Sequence, residues 1–187
     1  MGRHSQSIVL VGMMGAGKSA VGRCLQWRTG FSRCDTDEIV TSKFEMPISE
    51  IFSKHGENKF REAETEALQA LTTSEPVVIV TGGGIVLREE NLDLLKRLGV
   101  VVWLEADKKT LFKRASQGGN RPLLKRKNPR KAFTKMLRER LPLYAKIADI
   151  RVDTSMLTDD EVAVAILSKF TRYYRRSVPA AAMPAKA

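Results

Sequence analysis

The sequence predicts an α/β fold built on a parallel sheet, and three observations carry this prediction. Apolar runs rich in β-branched residues alternate with amphipathic helical stretches, as they do in repeated strand–helix–strand units. Residues 12–19 read Gly-Met-Met-Gly-Ala-Gly-Lys-Ser, a complete phosphate-binding loop between an apolar run and a helical pattern. The segments 77–81 and 100–104 are almost entirely apolar, which is typical of strands buried on both faces of a sheet.

Each element has its own signal in the sequence. Met46-Pro47 interrupts a helical pattern and divides it in two, and Gly99 stops a helix directly before a buried strand. The acidic run 158–161 marks the start of the last helix, because acids are favourable at a helix N-terminus. The predicted strands are Ile8–Val11, 31–34, 77–81, 100–104 and Ile150–Asp153. The predicted helices are 20–28, 38–44, 48–55, 60–71, Glu89–Leu98, 110–116, 130–144 with a tolerated break at Pro142, and 159–173.

Length and composition limit the possible classes of protein. The 187 residues, 43% of them hydrophobic, suffice for one core, and no apolar run approaches the roughly 18 residues of a membrane span. The first strand begins too early for a signal peptide, and Cys24 and Cys34 lack the spacing of metal ligands. We therefore expect one domain, no membrane partner and a cytoplasmic location, or an organelle matrix if a transit segment has been removed.

The net charge of +11 is concentrated in one segment. Residues 108–140 hold thirteen Lys or Arg and one acid, whereas the rest of the chain has a balance of −1. A positively charged flap that closes over an anionic substrate has this composition, and so does an RNA-binding arm. The flap is favoured because the segment has few aromatic residues that could stack on bases: there are none beyond Phe112 and Phe133.

The phosphate-binding loop predicts a site for a nucleoside triphosphate. Backbone N–H groups of the loop and of the following helix converge on polyphosphate. Lys18 is expected to reach the β- and γ-phosphates, and the Ser19 hydroxyl is expected to ligate Mg²⁺.

Two further strand ends carry unusual residues, and in an open parallel sheet ligands bind beyond these ends. Asp35 and Asp37 would point to opposite faces of an extended chain, one toward Mg²⁺ and the other toward an acceptor hydroxyl. A turn with two solvated acids is the plainer alternative. After strand 77–81, Gly82-Gly83-Gly84 predicts a backbone that passes close to a second small substrate.

These motifs, taken in order, resemble one family. Asp35-Thr36-Asp37, Phe60-Arg61-x-x-Glu64, Gly82-Gly83-Gly84, Arg121-Pro122-Leu123-Leu124, Arg140-x-Pro142-x-Tyr144 and Arg151-Val152-Asp153-Thr154 follow the phosphate-binding loop. The series resembles shikimate kinase over about residues 7–170. The resemblance implies a P-loop fold of nucleoside-monophosphate-kinase type, with a five-stranded parallel sheet in the order 2-3-1-4-5, flanking helices and a lid. It implies transfer of the γ-phosphoryl group of ATP to the 3-hydroxyl of shikimate, a step in chorismate and aromatic amino acid biosynthesis.

The resemblance also implies roles for single residues. Lys18, Asp37 and Arg121 are expected to be catalytic, with Asp37 polarising the acceptor hydroxyl and Arg121 reaching the transferring phosphate from the lid. ATP is expected to contact Gly15, Ala16, Gly17, Lys18, Ser19, Ala20, Arg114 and Arg121. Shikimate is expected to contact Asp37, Arg61, Gly82, Gly83, Gly84 and Arg140. Mg²⁺ is expected on Ser19 and, through water, on Asp35. Bidentate arginines for a carboxylate and one acid for a reacting hydroxyl are also what the chemistry requires.

The implied domain layout is one kinase domain over residues 1–176, with substrate-binding residues at about 36–64 and a lid at about 115–131. A disordered tail is expected at 177–187. We expect a monomer that binds shikimate and ATP, and no nucleic-acid partner.

Several alternatives remain open at this stage. Arg61, Arg114 and Arg140 are also explained as exposed helical residues with acidic or basic neighbours. A kinase for gluconate or a nucleotide shares the architecture, and a catalytically silent module that binds nucleotide or RNA is the non-enzyme alternative. The chain departs from the family pattern at Glu45-Met46-Pro47, where many relatives have a glycine.

Overall fold

A computed structural model describes residues 6–71, 74–117 and 127–177. Five parallel strands form one sheet in the order β2-β3-β1-β4-β5. The strands are β1 Ile8–Val11, β2 Ser32–Asp35, β3 Val77–Val80, β4 Val100–Glu105 and β5 Ile150–Asp153. Every side chain of the central strand β1 is fully buried, so both faces of the sheet are covered. The predicted α/β class and the strand order 2-3-1-4-5 are confirmed.

Seven helices connect and flank the described strands. They are α1 Lys18–Thr29, α2 Thr36–Phe44, α3 Ile48–Ala70, α4 Glu89–Leu98, α5 Lys108–Gln117, α6 Pro129–Ile147 and α7 Asp159–Ser177. A short 3₁₀ turn at Ile85–Leu87, which the sequence did not predict, follows the three glycines. Within the described residues, no helix has both the length and the apolar composition that crossing a bilayer requires.

Helices α2 and α3 carry an apolar cluster of their own. Its buried members are Val40, Ile51, Phe60, Ala63 and Ala67, apart from the main core that surrounds the sheet. This cluster sits in the stretch where we predicted the substrate-binding residues.

Two helices differ from the prediction at their interior breaks. Helix α3 is kinked at Gly56, whose φ of +81° and ψ of 168° interrupt the helical geometry, so the predicted segments 48–55 and 60–71 are the two arms of one element. Helix α6 shows no end at Pro142 and continues to Ile147, so the predicted break there is wrong. Tyr144 and Ile147 are buried in the main core, and this packing outweighs the low helix propensity of one proline.

The end of α2 shows what the departure from the family pattern at Glu45 costs. Glu45 has φ 52° and ψ 32°, the left-handed conformation that glycine commonly supplies at a helix C-terminus. Its backbone N–H still closes the helix on the Ser42 carbonyl. An ordinary side chain in this conformation costs about 1 kcal/mol.

Replacing Glu45 by glycine should therefore stabilise the protein. We expect Glu45→Gly to raise the free energy of unfolding by about 0.5–1 kcal/mol, because glycine removes the steric penalty of the left-handed region. Urea unfolding would measure the change. Glu50→Gly, in the first turn of α3, is the control at a position of ordinary helical geometry and should lower the free energy of unfolding by about 1 kcal/mol, through the low helix propensity of glycine and the loss of the pair with Lys54. A loss of stability in both variants would contradict the strain assigned to Glu45.

Candidate active site

The phosphate-binding loop joins the buried end of β1 to the first turn of α1. Gly15 lies in this loop with φ +88°, and a Cβ placed there would lie 2.3 Å from the Leu111 carbonyl oxygen. No larger residue fits that position without displacing α5. The glycines thus let the loop pack closely while its amides remain at the start of a helix, where anions bind.

Lys18 is held against the loop by two carbonyl oxygens. Its Nζ donates to Gly12 O at 2.7 Å and to Met13 O at 3.2 Å. The side chain is largely buried and lines the cavity described below. The ammonium group therefore already lies where the predicted phosphates would bind.

The two aspartates adopt a geometry different from the one predicted. Asp35 ends β2 and caps α2, because its Oδ1 accepts a hydrogen bond from the Asp37 amide at 3.0 Å. Asp37 consequently lies in the first helical turn, and the expected extended arrangement with opposite faces is wrong. Both side chains nevertheless reach the same cavity. Burial raises the pKa of Asp35, an effect that the hydrogen bond from Asp37 opposes.

A cavity of about 790 Å³ joins these groups. It extends from the phosphate-binding loop to Gly83 on one side and to the loop between β5 and α7 on the other. Its lining residues are Met14, Gly15, Gly17, Lys18, Ser19, Ala20, Arg23, Asp35, Asp37, Thr81, Gly83, Arg114, Leu157, Thr158 and Asp159. The cavity has the size of a small-ligand site, with cations near the loop and carboxylates near the end of β2.

Arg114 lies at the outer end of this cavity and is fixed there by the loop between β5 and α7. Its guanidinium donates to Thr154 Oγ1 at 3.1 Å and to the Thr154 carbonyl at 2.9 Å. The planar group is therefore oriented at the cavity wall, which fits a stacking partner for a base better than an exposed helical residue.

The three consecutive glycines make room for charged side chains. A Cβ on Gly84 would lie 2.3–2.5 Å from the Arg61 guanidinium. A Cβ on Gly82 would lie 2.5 Å from Glu64 Oε1 and 2.6 Å from Asp37 Oδ1. The absence of side chains here is thus required by neighbouring protein groups, a reason additional to the predicted approach of a substrate.

Arg61 is buried between two acids of its own helix. Only 8% of the residue is exposed, and its guanidinium pairs with Glu64 and, at 2.9 Å, with Glu57. Glu64 is completely buried, and its Oε1 has no hydrogen-bond partner among the described residues. Burial raises the pKa of Glu64 to about 7, Arg61 opposes this shift, and the negative charge of Asp37 adds to it. The reading of Arg61 as an exposed helical residue is excluded.

Arg140 approaches the glycine segment from α6. It is 3% exposed, and its Nη1 donates to Gly83 O at 3.1 Å. Tyr144, one helical turn later, donates its hydroxyl to the same carbonyl oxygen. Burial lowers the pKa of Arg140 and raises the pKa of Tyr144. Two helices thus place two buried guanidiniums at neighbouring glycines.

Sequence reasoning missed part of this site. Glu64 and Tyr144 stand in the quoted motifs but received no role, although their spacing from Arg61 and Arg140 already put them one helical turn away. Nothing in the sequence pointed to a place in the site for Asp159, which lines the cavity and whose Oδ1 would lie 3.3 Å from a Cβ on Gly17. Arg121 lies outside the described residues.

The site residues available to a metal ion are few and oxygen-based. Ser19 and Asp35 line one cavity, and the described residues contain no cluster of three or more acids, histidines or cysteines suited to a metal. Mg²⁺ typically keeps several waters and takes one or two protein oxygens beside substrate phosphates, so the residues present fit it.

The sheet order, the glycine loop and the cavity beyond the strand ends define a P-loop protein of nucleoside-monophosphate-kinase type. The family model for shikimate kinase matches residues 14–171. This chain therefore belongs to the shikimate kinase family.

Individual relatives agree with the family match. A shikimate kinase of Thermodesulfovibrio yellowstonii is 44% identical over 167 residues, covering 89% of this chain and 96% of the relative. A solved shikimate kinase from Acinetobacter baumannii, in complex with shikimate, superposes with a TM-score of 0.85 at 36% identity. That match covers 89% of this chain and 93% of the solved one. A gluconokinase from Sinorhizobium meliloti, at 18% identity and a TM-score of 0.54, shares the fold alone.

Tyr144 offers a test of the geometry at Gly83. We expect Tyr144→Phe to lower the free energy of unfolding by about 1 kcal/mol, because a buried hydrogen bond to the Gly83 carbonyl is lost. Tyr173→Phe is the matched control, since its hydroxyl donates to Asp149 in a more exposed place and should matter less. Chemical unfolding of both variants would measure the difference. Equal losses would contradict the anchoring role of Tyr144.

Proposed function

We propose that this protein transfers the γ-phosphoryl group of ATP to the 3-hydroxyl of shikimate, giving shikimate 3-phosphate and ADP. The observation that carries the proposal is the placement of Asp37. It lies in one cavity with Lys18 and Ser19 and beside a glycine segment that contacts two buried arginines. This arrangement can hold a phosphoryl donor next to an acceptor substrate, with the reacting hydroxyl of the acceptor at Asp37 and its carboxylate at the arginines.

Each group has a distinct task in this proposal. The loop amides and Lys18 hold the phosphates, while Arg61 and Arg140 bind the carboxylate of the acceptor. Asp37 accepts the hydroxyl proton as the oxygen attacks phosphorus. Phosphoryl transfer depends mainly on such positioning and on neutralisation of charge, which these residues supply.

We propose Mg²⁺ on the Ser19 hydroxyl and, through water, on Asp35. When bound, it neutralises charge on the phosphates. The buried Asp35 carboxylate is oriented by the Asp37 amide and by Arg33, whose Nη1 lies 3.5 Å from Asp35 Oδ2.

A coupled assay of ADP release tests the activity. Shikimate should support turnover, whereas gluconate and nucleoside monophosphates should not. Gluconate deserves inclusion because it is also a polyhydroxy carboxylate, for which paired arginines alone do not discriminate. Turnover with gluconate and none with shikimate would overturn the proposal.

Asp37 provides the sharpest mutational test of the chemistry. We expect Asp37→Asn to reduce turnover by about 10²-fold or more while leaving ATP affinity nearly unchanged, because an acid–base group is lost and the phosphate site is kept. Asp160→Asn is a suitable control, since Asp160 pairs with Arg28 at the surface. If Asp37→Asn weakened ATP binding and spared turnover, the roles of Asp35 and Asp37 would have to be exchanged.

We also propose that about residues 115–131 form a lid. Its flanking helices α5 and α6 are joined by an edge-to-face contact of Phe112 with Phe133, whose ring centroids are 5.4 Å apart. Arg130 lies over Phe112 at 5.5 Å. The helices on either side of this segment are thus packed against each other, and Arg114 of α5 lines the cavity.

The lid proposal predicts that Arg121 matters more for turnover than the basic residues near it, although their charges are equal. Arg121→Ala should reduce turnover strongly, because a positioned guanidinium on the transferring phosphate acts in the transition state. Neutralising Lys125, Arg126 and Lys127 together should change mainly the salt dependence of ATP association, since diffuse charge steers a ligand without positioning it. Turnover of both variants at two ionic strengths would compare them. Equal losses, or RNA binding that disappears in the triple variant, would favour a nucleic-acid arm.

The domain layout, the monomeric state and the cytoplasmic location stay predictions. Of the disordered tail predicted at 177–187, Ser177 instead ends α7, and the other residues lie outside the described part of the chain. Light scattering would test the monomeric state, and cell fractionation would test the cytoplasmic location.

A further inference from the structure

The charges around the proposed acceptor site do not balance. Two guanidiniums, Arg61 and Arg140, face three carboxylates, namely Asp37 from α2 and Glu57 and Glu64 from α3. The set therefore carries one excess negative charge before any substrate enters. A substrate carboxylate bound to the arginines would make the excess two.

Glu64 is the member of this set least able to keep its charge. It is completely buried, and only its Oε2 is engaged, by Arg61. Its Oε1 and Asp37 Oδ1 lie 2.5 and 2.6 Å from one and the same point beside Gly82, which places the two oxygens within about 5 Å of each other. Two like charges at this separation in a buried place repel strongly.

We propose that the acceptor substrate binds together with one proton from solvent, which Glu64 takes up. This inference rests on the proposed function, because it requires a carboxylate at Arg61 and Arg140. The proton goes to Oε1, since Oε2 accepts the hydrogen bond from Arg61. There it lies between Glu64 and Asp37, so the set returns to one excess negative charge. Glu64 acts through Arg61 and Asp37 and is a positioning residue.

The groups that face Glu64 determine how its pKa responds to a bound substrate. In the substrate-free protein, burial and Asp37 raise the pKa of Glu64 to about 7, while Arg61 and Arg140 oppose the shift. From α6, Tyr144 adds no charge, because burial raises its pKa further above the ordinary value. A substrate carboxylate on the arginines weakens their opposition, so the pKa of Glu64 rises again on binding.

The sign of the pH dependence follows from linkage. A group whose pKa is higher in the complex favours binding while it is protonated. Affinity for the substrate should therefore be greatest below about pH 7 and decline as the pH rises from the free-state pKa to that of the complex. Each unit between these two values corresponds to about a tenfold loss of affinity.

Calorimetric titration of the full chain with shikimate, without nucleotide, tests the proposal. In two buffers of different ionisation enthalpy, the difference in heat gives the number of protons taken up. We expect a large fraction of one proton near pH 7.5 and about a tenfold loss of affinity between about pH 6.5 and 8.5. Glu64→Gln should take up no proton and bind with an affinity independent of pH. Glu62→Gln, on the exposed side of α3 beside Lys59, is the matched control and should behave as the wild type.

A purely structural role of Glu64 would lower affinity without changing the proton count. Thermal unfolding and ATP binding would establish that Glu64→Gln is folded. If it is not, the carboxyl ¹³C resonance of Glu64 in the wild type should move to its protonated position on addition of shikimate. Shikimate binding without proton uptake, or the same uptake in folded Glu64→Gln, would overturn this inference alone. Failure of the wild type to bind shikimate would instead overturn the proposed function.

Discussion

Three glycines in a row allow charged side chains from three helices to meet at the end of β3. Arg61 and Glu64 come from α3, Asp37 from α2 and Arg140 from α6, and a Cβ on Gly82 or Gly84 would occupy space that the first three already fill. Buried ions are tolerated when they are paired and hydrogen-bonded at close range. The bare backbone at this point is what permits such close range, so the rest of the site depends on it.

The Gly83 carbonyl adds a second function to the same segment. It accepts hydrogen bonds from both Arg140 and Tyr144. It thereby fixes the Arg140 guanidinium, whose burial without a hydrogen bond would be unfavourable. The Nε atoms of Arg61 and Arg140 have no hydrogen-bond partner among the described residues. Two buried arginines with unpartnered Nε donors, held beside a rigid backbone, suit the proposed carboxylate site, because little ordering remains to be done on binding.

The sequence predicted the scaffold well because its signals were local. Apolar strands, glycine stops and the phosphate-binding loop each specify structure within a few residues, and the sheet order followed from the family resemblance. Asp35 and Asp37 line one cavity with the phosphate-binding loop, but their predicted extended geometry was wrong, since the cap formed by Asp35 turns the chain into α2 directly after the strand. Besides Arg61 of its own helix, Glu64 is influenced by the charges of Asp37 on α2 and Arg140 on α6. No local pattern could indicate that Asp37 and Glu64 face one point beside Gly82. Pro142 shows the same limit, because burial of its neighbours overrides propensity.

The phosphate-binding loop and the α3 part of the proposed acceptor site are built on different apolar cores. Met13 and Ala16 of the phosphate-binding loop belong to the main core around the sheet, whereas Phe60 belongs to the cluster between α2 and α3. Arg61 lies over Phe60 at 5.2 Å and over Phe52 at 5.9 Å, so this aromatic pair orients the guanidinium in addition to packing the cluster. These two rings therefore both pack a core and orient a charged side chain of the site. Because the phosphate-binding loop and the aromatic pair beneath Arg61 belong to separate cores, the distance between them depends on where the two cores meet, at the cap of Asp35 and at the glycines beside Arg61. A change of a few tenths of an ångström at Gly82 or Gly84 would be transmitted directly to the atoms that must react, since close-packed interiors transmit strain rather than absorb it.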